Sequence, residues 1–484
     1  MSVATGWMAA AGSERLRAEI GRATFRVRLV KMLCGLVLAI CFWYSVPYVL
    51  PFVPEHSIDR AAATASVAET GNLSRQIAMP IVALISLFLL WRLPKRGRIG
   101  GQLIYFATAY VVWAVMSVGW SDSPGLSTKR LVVFLFNILF AYMMARVFSL
   151  IEMALLGMCA TGAVALIAFY SDAILQRIFA PRDPDYRFQG VTTANYQAMS
   201  LCVLLFCIVT LLAYKPEWAK RLWFAFGTAF VLLFMTRARM STILAMLLFG
   251  IMLLRYARLR WKTETRAMVL IAALMLGVAG ASVLVMKNGT DALQTVFMMG
   301  RNDTQNTSNL SNRGPLWQEL AGSVAQRPLL GFGYDGFWSA ARIARISADQ
   351  GWSVPHAHNS YLDQTLSLGL IGVALYVGVM WSACWIAWKR YRHDHTETSL
   401  FAAVLLTWIV LQSLSESAPV DPYLPTLLAY ACVAKMSLVP GSEAESDRFL
   451  APHAILGGLT PADVQRLPAD MRNDAVNILE GRKA

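Results

Sequence analysis

The chain has 484 residues, of which 57% are hydrophobic and only 15% charged, against about 25% charged in ordinary soluble domains. That balance excludes a soluble globular protein, and the formal charge of +14 does not indicate nucleic acid, because Lys and Arg cluster in short loops between apolar runs. Many runs near twenty residues predict an all-α, polytopic membrane protein, and the short alternating strands of a β-barrel are missing.

In chain order, residues 1–29 form a basic segment (Arg15, Arg17, Arg22, Arg26, Arg28) that is expected to be cytoplasmic. The apolar run at 30–50 is too long for a signal-peptide core and reads as an uncleaved first span. Further spans are expected near 77–92, 101–119, 129–148, 151–170, 194–213, 222–236, 240–254 and 267–286, then from about 361 to 388, and at 399–415 and 423–439. These twelve spans put the Lys/Arg-dense short turns on one face: RLPKRGR (92–98), YKPEWAKR (214–221), RYARLRWKTETR (255–266) and WKRYRHDH (388–395). The sparse connections fall on the other face, which predicts an inner-membrane protein with both termini cytoplasmic. The expected division is a transmembrane body over 30–439, with a large periplasmic loop at 287–360, and a cytoplasmic tail at 440–484. All seven cysteines lie in apolar segments and read as small buried hydrophobes rather than a disulfide or zinc framework.

The most informative stretch is Asn312–Gly372. The loop it belongs to carries Arg301, Arg313, Arg327, Arg342 and Arg345, and two of the six histidines, His356 and His358, stand two apart. Titratable and cationic groups massed in one loop of an apolar chain mark a candidate site, although a solvated cap touching lipid headgroups has the same composition. Arg187, Arg237 and Arg239 lie near span ends on the same face; each either snorkels or meets an anion such as a diphosphate, which a guanidinium grips in bidentate fashion. A histidine of HAHN (356–359) suits a general base, and a loop-bonded interfacial histidine is the alternative. A metal is not expected from one His pair, even with His56 as a third donor. GFGYDGF (331–337) lacks the preceding strand and following lysine of a nucleotide loop. Its glycines suit tight turns, which leaves Phe332, Tyr334 and Phe337, with Trp338, available to pack on membrane or a sugar face. DPD (183–185) sits in a proline-punctuated loop and reads as a turn rather than a metal-binding pair.

Together NRGPLW (312–317), RPLLGFGYDGF (327–337) and HAHNSYLDQTLSLGLIG (356–372) resemble the O-antigen ligase/O-unit polymerase superfamily. RFQGVTTANYQAMS (187–200) and TRARMST (236–242) support the resemblance more weakly. Within the family, the chain is most similar to exopolysaccharide repeat-unit polymerases. The resemblance implies an inverting, metal-independent and cofactor-free glycosyltransferase on the periplasmic face, its donor glycan carried on undecaprenyl diphosphate. It matches His358 to the catalytic histidine. Arg313 and one of Arg237 and Arg239 match the diphosphate-binding arginines, and Arg187 does so more weakly. His356, Asn359, Tyr361 and Asp363 are supporting residues, with Asp363 the rival base. Ser367 departs from the acidic residue that relatives carry before the Leu-Gly, and TRARMST follows the family pattern loosely. The partners implied are the lipid-linked donor, a glycan acceptor, the bilayer, and chain-length and export proteins.

Fixed arginines could stabilise the charge that grows on a departing lipid diphosphate, and a base would take the proton of the attacking hydroxyl. An O-antigen ligase with a lipid A core acceptor, and a flippase for lipid-linked sugars, are the competing readings. A transporter would scatter its charges through the mid-membrane helices, whereas here they mass at one face.

Overall fold

The computed structural model describes residues 73–92, 99–265 apart from 182, 184, 185 and 191, residue 275, and residues 313–417 and 424–438. The basic segment at 1–29, the predicted span at 30–50, that at 267–286 apart from residue 275, the loop at 287–312, His56, Arg301 and the tail at 440–484 lie outside these residues. Within them the protein is helical, with one isolated antiparallel bridge between Ile99 and Leu438.

The helices in chain order are α1 (Leu73–Arg92), α2 (Gln102–Met116), α3 (Pro124–Val147), α4 (Leu150–Tyr170), α5 (Ala194–Tyr214), α6 (Ala219–Met235), α7 (Arg239–Arg260), α8 (Arg313–Gln326), α9 (Ala340–Gln350), α10 (Ser360–Asp394), α11 (Glu397–Gln412) and α12 (Leu424–Met436). Seven of these stretches, in α2–α7 and α10, are long and apolar enough to cross a membrane, and α1, α11 and α12 are shorter apolar helices. All ten coincide with predicted spans. The protein is a multi-pass membrane protein.

Helix α5 is the axis of the bundle. Every residue from Ala194 to Leu212 is buried except Asn195. A helix apolar on all sides has no face to give to water, so the bundle closes around it. Phe206 meets Trp408 of α11 edge-on, at 5.9 Å between ring centroids. Local chemistry sets the helix ends. Ser149 and Glu152 form a reciprocal capping box at the start of α4, and Asn359 accepts from the Tyr361 and Leu362 amides at the start of α10.

One predicted span is shaped differently from expectation. Helix α10 is interrupted at Gly369, whose φ of 69° and ψ of −171° are not helical. Tyr361 and Tyr376 lie fifteen positions apart, which a straight helix would separate by roughly 22 Å, yet their rings are 5.8 Å apart. Residues 360–368 therefore fold back against the segment from 370 to 394, which by itself is about 37 Å long and sufficient to span a bilayer. The reversal is locked by the loop after α8. Leu370 N donates to Pro328 O at 2.8 Å, and Phe332 N donates to Leu366 O at 2.8 Å. A Cβ on Gly369 would come within 2.0 Å of Leu329 O, so only glycine fits that corner.

The aromatic residues available to membrane or a sugar face pack on neither. Phe332, Tyr334, Phe337 and Trp338 are buried, and Phe332, Phe337 and Trp338 pack edge-on in the small core of the loop with Leu316, Ile343 and Leu366. The tight turns of GFGYDGF direct these rings inward, and Leu329 and Leu330 are left exposed instead. Asp183, the described part of DPD, lies in the expected turn: its amide donates to Ala180 O and its carbonyl accepts from Tyr186 N. Among the described cysteines, Cys202, Cys207 and Cys432 are buried and Cys384 is partly so, whereas Cys159 is exposed on α4.

Candidate functional site

The site forms where loops from five parts of the chain meet at one end of the bundle, and its centre is Glu416, in the turn after α11. No role for this residue follows from the local sequence SLSES (413–417). Its side chain is only 5% exposed. Oε1 accepts from Arg313 Nη2 and from Asn195 Nδ2, both at 2.7 Å. Oε2 lies 3.1 Å from His358 Nδ1. Arg313, the first residue of α8, also donates from Nη1 to the Ser415 carbonyl.

Asn195 extends the network. Its Oδ1 accepts from Arg187 Nη2 at 2.9 Å, and Arg187 Nε donates to Thr236 O at 3.1 Å. The RFQG loop with the start of α5, the TRAR turn, α8, the HAHN loop and the SLSES turn thus converge through two side chains that the sequence reading did not single out. Glu416 carried one usable signal: it is an acid in a Lys/Arg-free connection facing many arginines, and a cation placed near hydrocarbon needs a counter-charge. Asn195 carried none beyond its position at a helix start.

His358 has a left-handed backbone (φ 51°), uncommon for a side-chain-bearing residue and a feature found at functional sites. A carboxylate on Nδ1 favours the tautomer with the proton there, which leaves the Nε2 lone pair free. Nε2 is buried and has no hydrogen-bond partner among the described residues. The His356 ring lies 4.2 Å and the Trp352 ring 5.4 Å from that of His358. His356 Nδ1 accepts from His358 N at 3.3 Å, and its Nε2 lies 3.3 Å from Tyr196 OH.

The electrostatics follow from this packing. Burial alone would push the Glu416 carboxyl up. Arg313, together with the hydrogen bond from His358, outweighs burial and holds the carboxyl at about 2, so it stays ionised. His356 is driven well below the usual imidazole value, first by burial and then by His358 and Arg313, with Glu416 opposing, so it is neutral.

The remaining predicted residues are distributed as follows. Arg237 also has a left-handed backbone (φ 52°); its Nη2 donates to Asp183 O at 2.8 Å, and its Nη1 is buried without a partner among the described residues. Arg239 opens α7. Asn359 caps α10, and Tyr361 OH donates to Val410 O at 2.9 Å. Asp363 is fully enclosed by three donors. Of the other loop arginines, Arg327 and Arg342 both pair with Asp122, at 2.7 and 2.6 Å, and Arg345 is 3.9 Å from Glu319.

The fold and site define a multi-pass helical bundle that carries a histidine–carboxylate–arginine cluster at one end, and comparison with known proteins adds a family resemblance. Residues 224–377 match the O-antigen ligase family. Over 344 residues, 68% of this chain and 76% of the relative, the sequence is 24% identical to the exopolysaccharide production protein ExoQ of Rhizobium meliloti (strain 1021). The two matches support membership of the O-antigen ligase/polymerase-like superfamily and a glycosyl-transferring role in polysaccharide synthesis. The matched family region takes in α7, Arg313, both histidines and the Gly369 reversal, whereas Asn195 and Glu416 lie outside it.

Proposed function

We propose that this protein joins polyprenyl-diphosphate-linked oligosaccharide repeats into a longer polysaccharide on the periplasmic face of the inner membrane, without a metal. The observation that carries the reading is the pair formed by His358 and Glu416. The carboxylate holds the Nδ1 proton, and the unpartnered Nε2 can accept a proton from a sugar hydroxyl as that oxygen attacks the anomeric carbon. The carbon–oxygen bond to the lipid diphosphate breaks on the opposite face, and the configuration inverts. Negative charge then grows on the diphosphate. Arg313, Arg187 and Arg237 lie within the same group of loops, and each guanidinium presents several N–H donors in a planar fork suited to phosphate oxygens. The ionised Glu416 also stabilises the imidazolium that forms, as the orienting carboxylate does in hydrolase triads.

The name of the matched relative, an exopolysaccharide production protein, supports polymerisation. The description of the matched family, O-antigen ligase, supports a second reading in which the same chemistry transfers the finished glycan to a lipid A core. Purified protein in detergent is given lipid-linked repeat units and EDTA. Longer lipid-linked oligosaccharides are expected. Transfer only when lipid A core is added would select the ligase reading, and no transfer to either acceptor by folded protein would sink both.

A further inference from the structure

We propose that Asp363 is a positioning residue that holds the His358 loop and the Glu416 turn in register, and not a second proton acceptor. The inference rests on the reading of His358 as the base. Asp363 Oδ1 accepts from Trp338 Nε1 at 2.8 Å and from Ala357 N at 3.0 Å, and its Oδ2 accepts from Ser417 Oγ. Ala357 is the residue before His358, and Ser417 is the residue after Glu416. One buried carboxylate, 2% exposed, therefore ties together the chain neighbours of both members of the proposed catalytic pair, which lie 58 positions apart in sequence. The bond from Trp338 anchors the assembly to the loop that locks the Gly369 reversal. Both oxygens of Asp363 are occupied by protein donors, so a sugar hydroxyl could reach them only by breaking this connection.

The bonding pattern makes asparagine an informative replacement. In Asp363→Asn the amide oxygen can still accept from Trp338 and Ala357, and the amide nitrogen can donate to Ser417, whose hydroxyl accepts as readily as it donates. Positioning needs this geometry and proton transfer needs the acid, so the two roles predict opposite results for the same variant. Asp363→Ala breaks all three bonds, and a displacement of about 1 Å in a reacting group costs on the order of 10²-fold in rate.

The test is steady-state polymerisation by full-length Asp363→Ala, Asp363→Asn and His358→Ala proteins, with the kcat pH profile of each active enzyme. Asp363→Ala is expected to lose about 10²-fold in kcat with KM for the lipid-linked donor within roughly threefold. Asp363→Asn should recover kcat to within about tenfold of the parent, with the same pH profile. If folded Asp363→Asn is as inactive as His358→Ala, Asp363 carries a proton and the proposal is overturned. Wild-type kcat in Asp363→Ala overturns it as well. Should Asp363→Ala fail to fold, Trp338→Phe and Ser417→Ala each remove one bond, and undiminished kcat in both would sink the proposal. A nearly normal His358→Ala enzyme would reject the base reading itself, whatever the Asp363 variants do.

Discussion

Two arginine–carboxylate nodes stand at the same end of this bundle. At Asp122, Arg327 and Arg342 pair with one carboxylate at 2.7 and 2.6 Å and lie over the Phe332 ring. At Glu416, Arg313 pairs with a carboxylate that also holds Asn195 and His358. The distances are alike, but burial is not. Asp122 is 27% exposed and Arg327 42%, whereas Glu416 is 5% exposed and Arg313 16%. Exposed pairs are screened by water and contribute little, so the Asp122 node acts as a strap between the turn before α3 and the loop. The enclosed node keeps its charges out of water, where their fields act at full strength on whatever enters. Arginine count alone would point to the wrong node, since Asp122 holds two guanidiniums and Glu416 one.

Substitutions can break this comparison, and the largest effect is expected at His358. Replacing it with alanine should lower turnover by about 10²–10⁴-fold while lipid-linked donor still binds, as a pull-down with labelled donor would report. Near-normal turnover would remove the base from the site.

Glu416→Gln comes next. It keeps the shape but withdraws the charge that orients His358 and neutralises Arg313. A loss on the order of 10²-fold in kcat is expected. Unfolding in detergent should show a cost of about 3–5 kcal/mol, as for a broken buried pair. If both quantities match the parent, the node is not the centre proposed here.

Arg313→Lys keeps the charge but loses the fork that reaches Ser415 and Glu416 together. Activity should fall by roughly tenfold, less than for Glu416→Gln but more than charge alone would suggest. Wild-type turnover in a folded Arg313→Lys protein would show that one point of contact suffices.

The pH dependence tests His356, which faces His358, Glu416, Arg313 and Tyr196. Its folded pKa lies below the ordinary value near 6.5, so the unfolded chain takes up the proton first. Its contribution to stability is complete above about pH 6.5 and declines as pH falls, at up to about 1.4 kcal/mol per pH unit. Glu416 stays ionised through the same range, since its contribution is lost only from about 4.5 down towards 2. Melting temperature in detergent should therefore drop between pH 7 and 5, and His356→Gln should flatten that slope. An unchanged slope in the variant would assign the acid sensitivity elsewhere.

The smallest effect is expected at the other node. Asp122→Asn should change stability by under about 1 kcal/mol and leave turnover within roughly twofold of the parent, read in the same assays. A loss approaching that of Glu416→Gln would erase the distinction between the nodes.

Much of the fold was legible because membrane spans are written locally. Each described apolar run forms a helix at the expected place, from Leu73–Arg92 to Leu424–Met436. Lipid leaves the backbone no other partner, so a long apolar run suffices to specify such a helix. The candidate site was legible only in part. His358, Arg313 and Arg187 stand out as polar groups at the edges of apolar segments, and all three come together. The inward packing of Phe332, Tyr334, Phe337 and Trp338 is not legible, because a glycine-rich turn does not reveal which way its rings face.

The sequence by itself determined where the chain crosses hydrocarbon and which titratable residues border it, since both depend on residue type over one window. Tertiary structure decided their partners. Gly369 folds a predicted straight span back on itself because the Leu329 carbonyl occupies the place of a side chain. Glu416 becomes the centre because its backbone turn meets α10 where Ser360 N donates to Ser413 O at 2.8 Å, which brings its carboxylate to a histidine 58 positions away. Charges in a low-dielectric interior are paired by proximity in space, and that proximity exists only once the helices have packed.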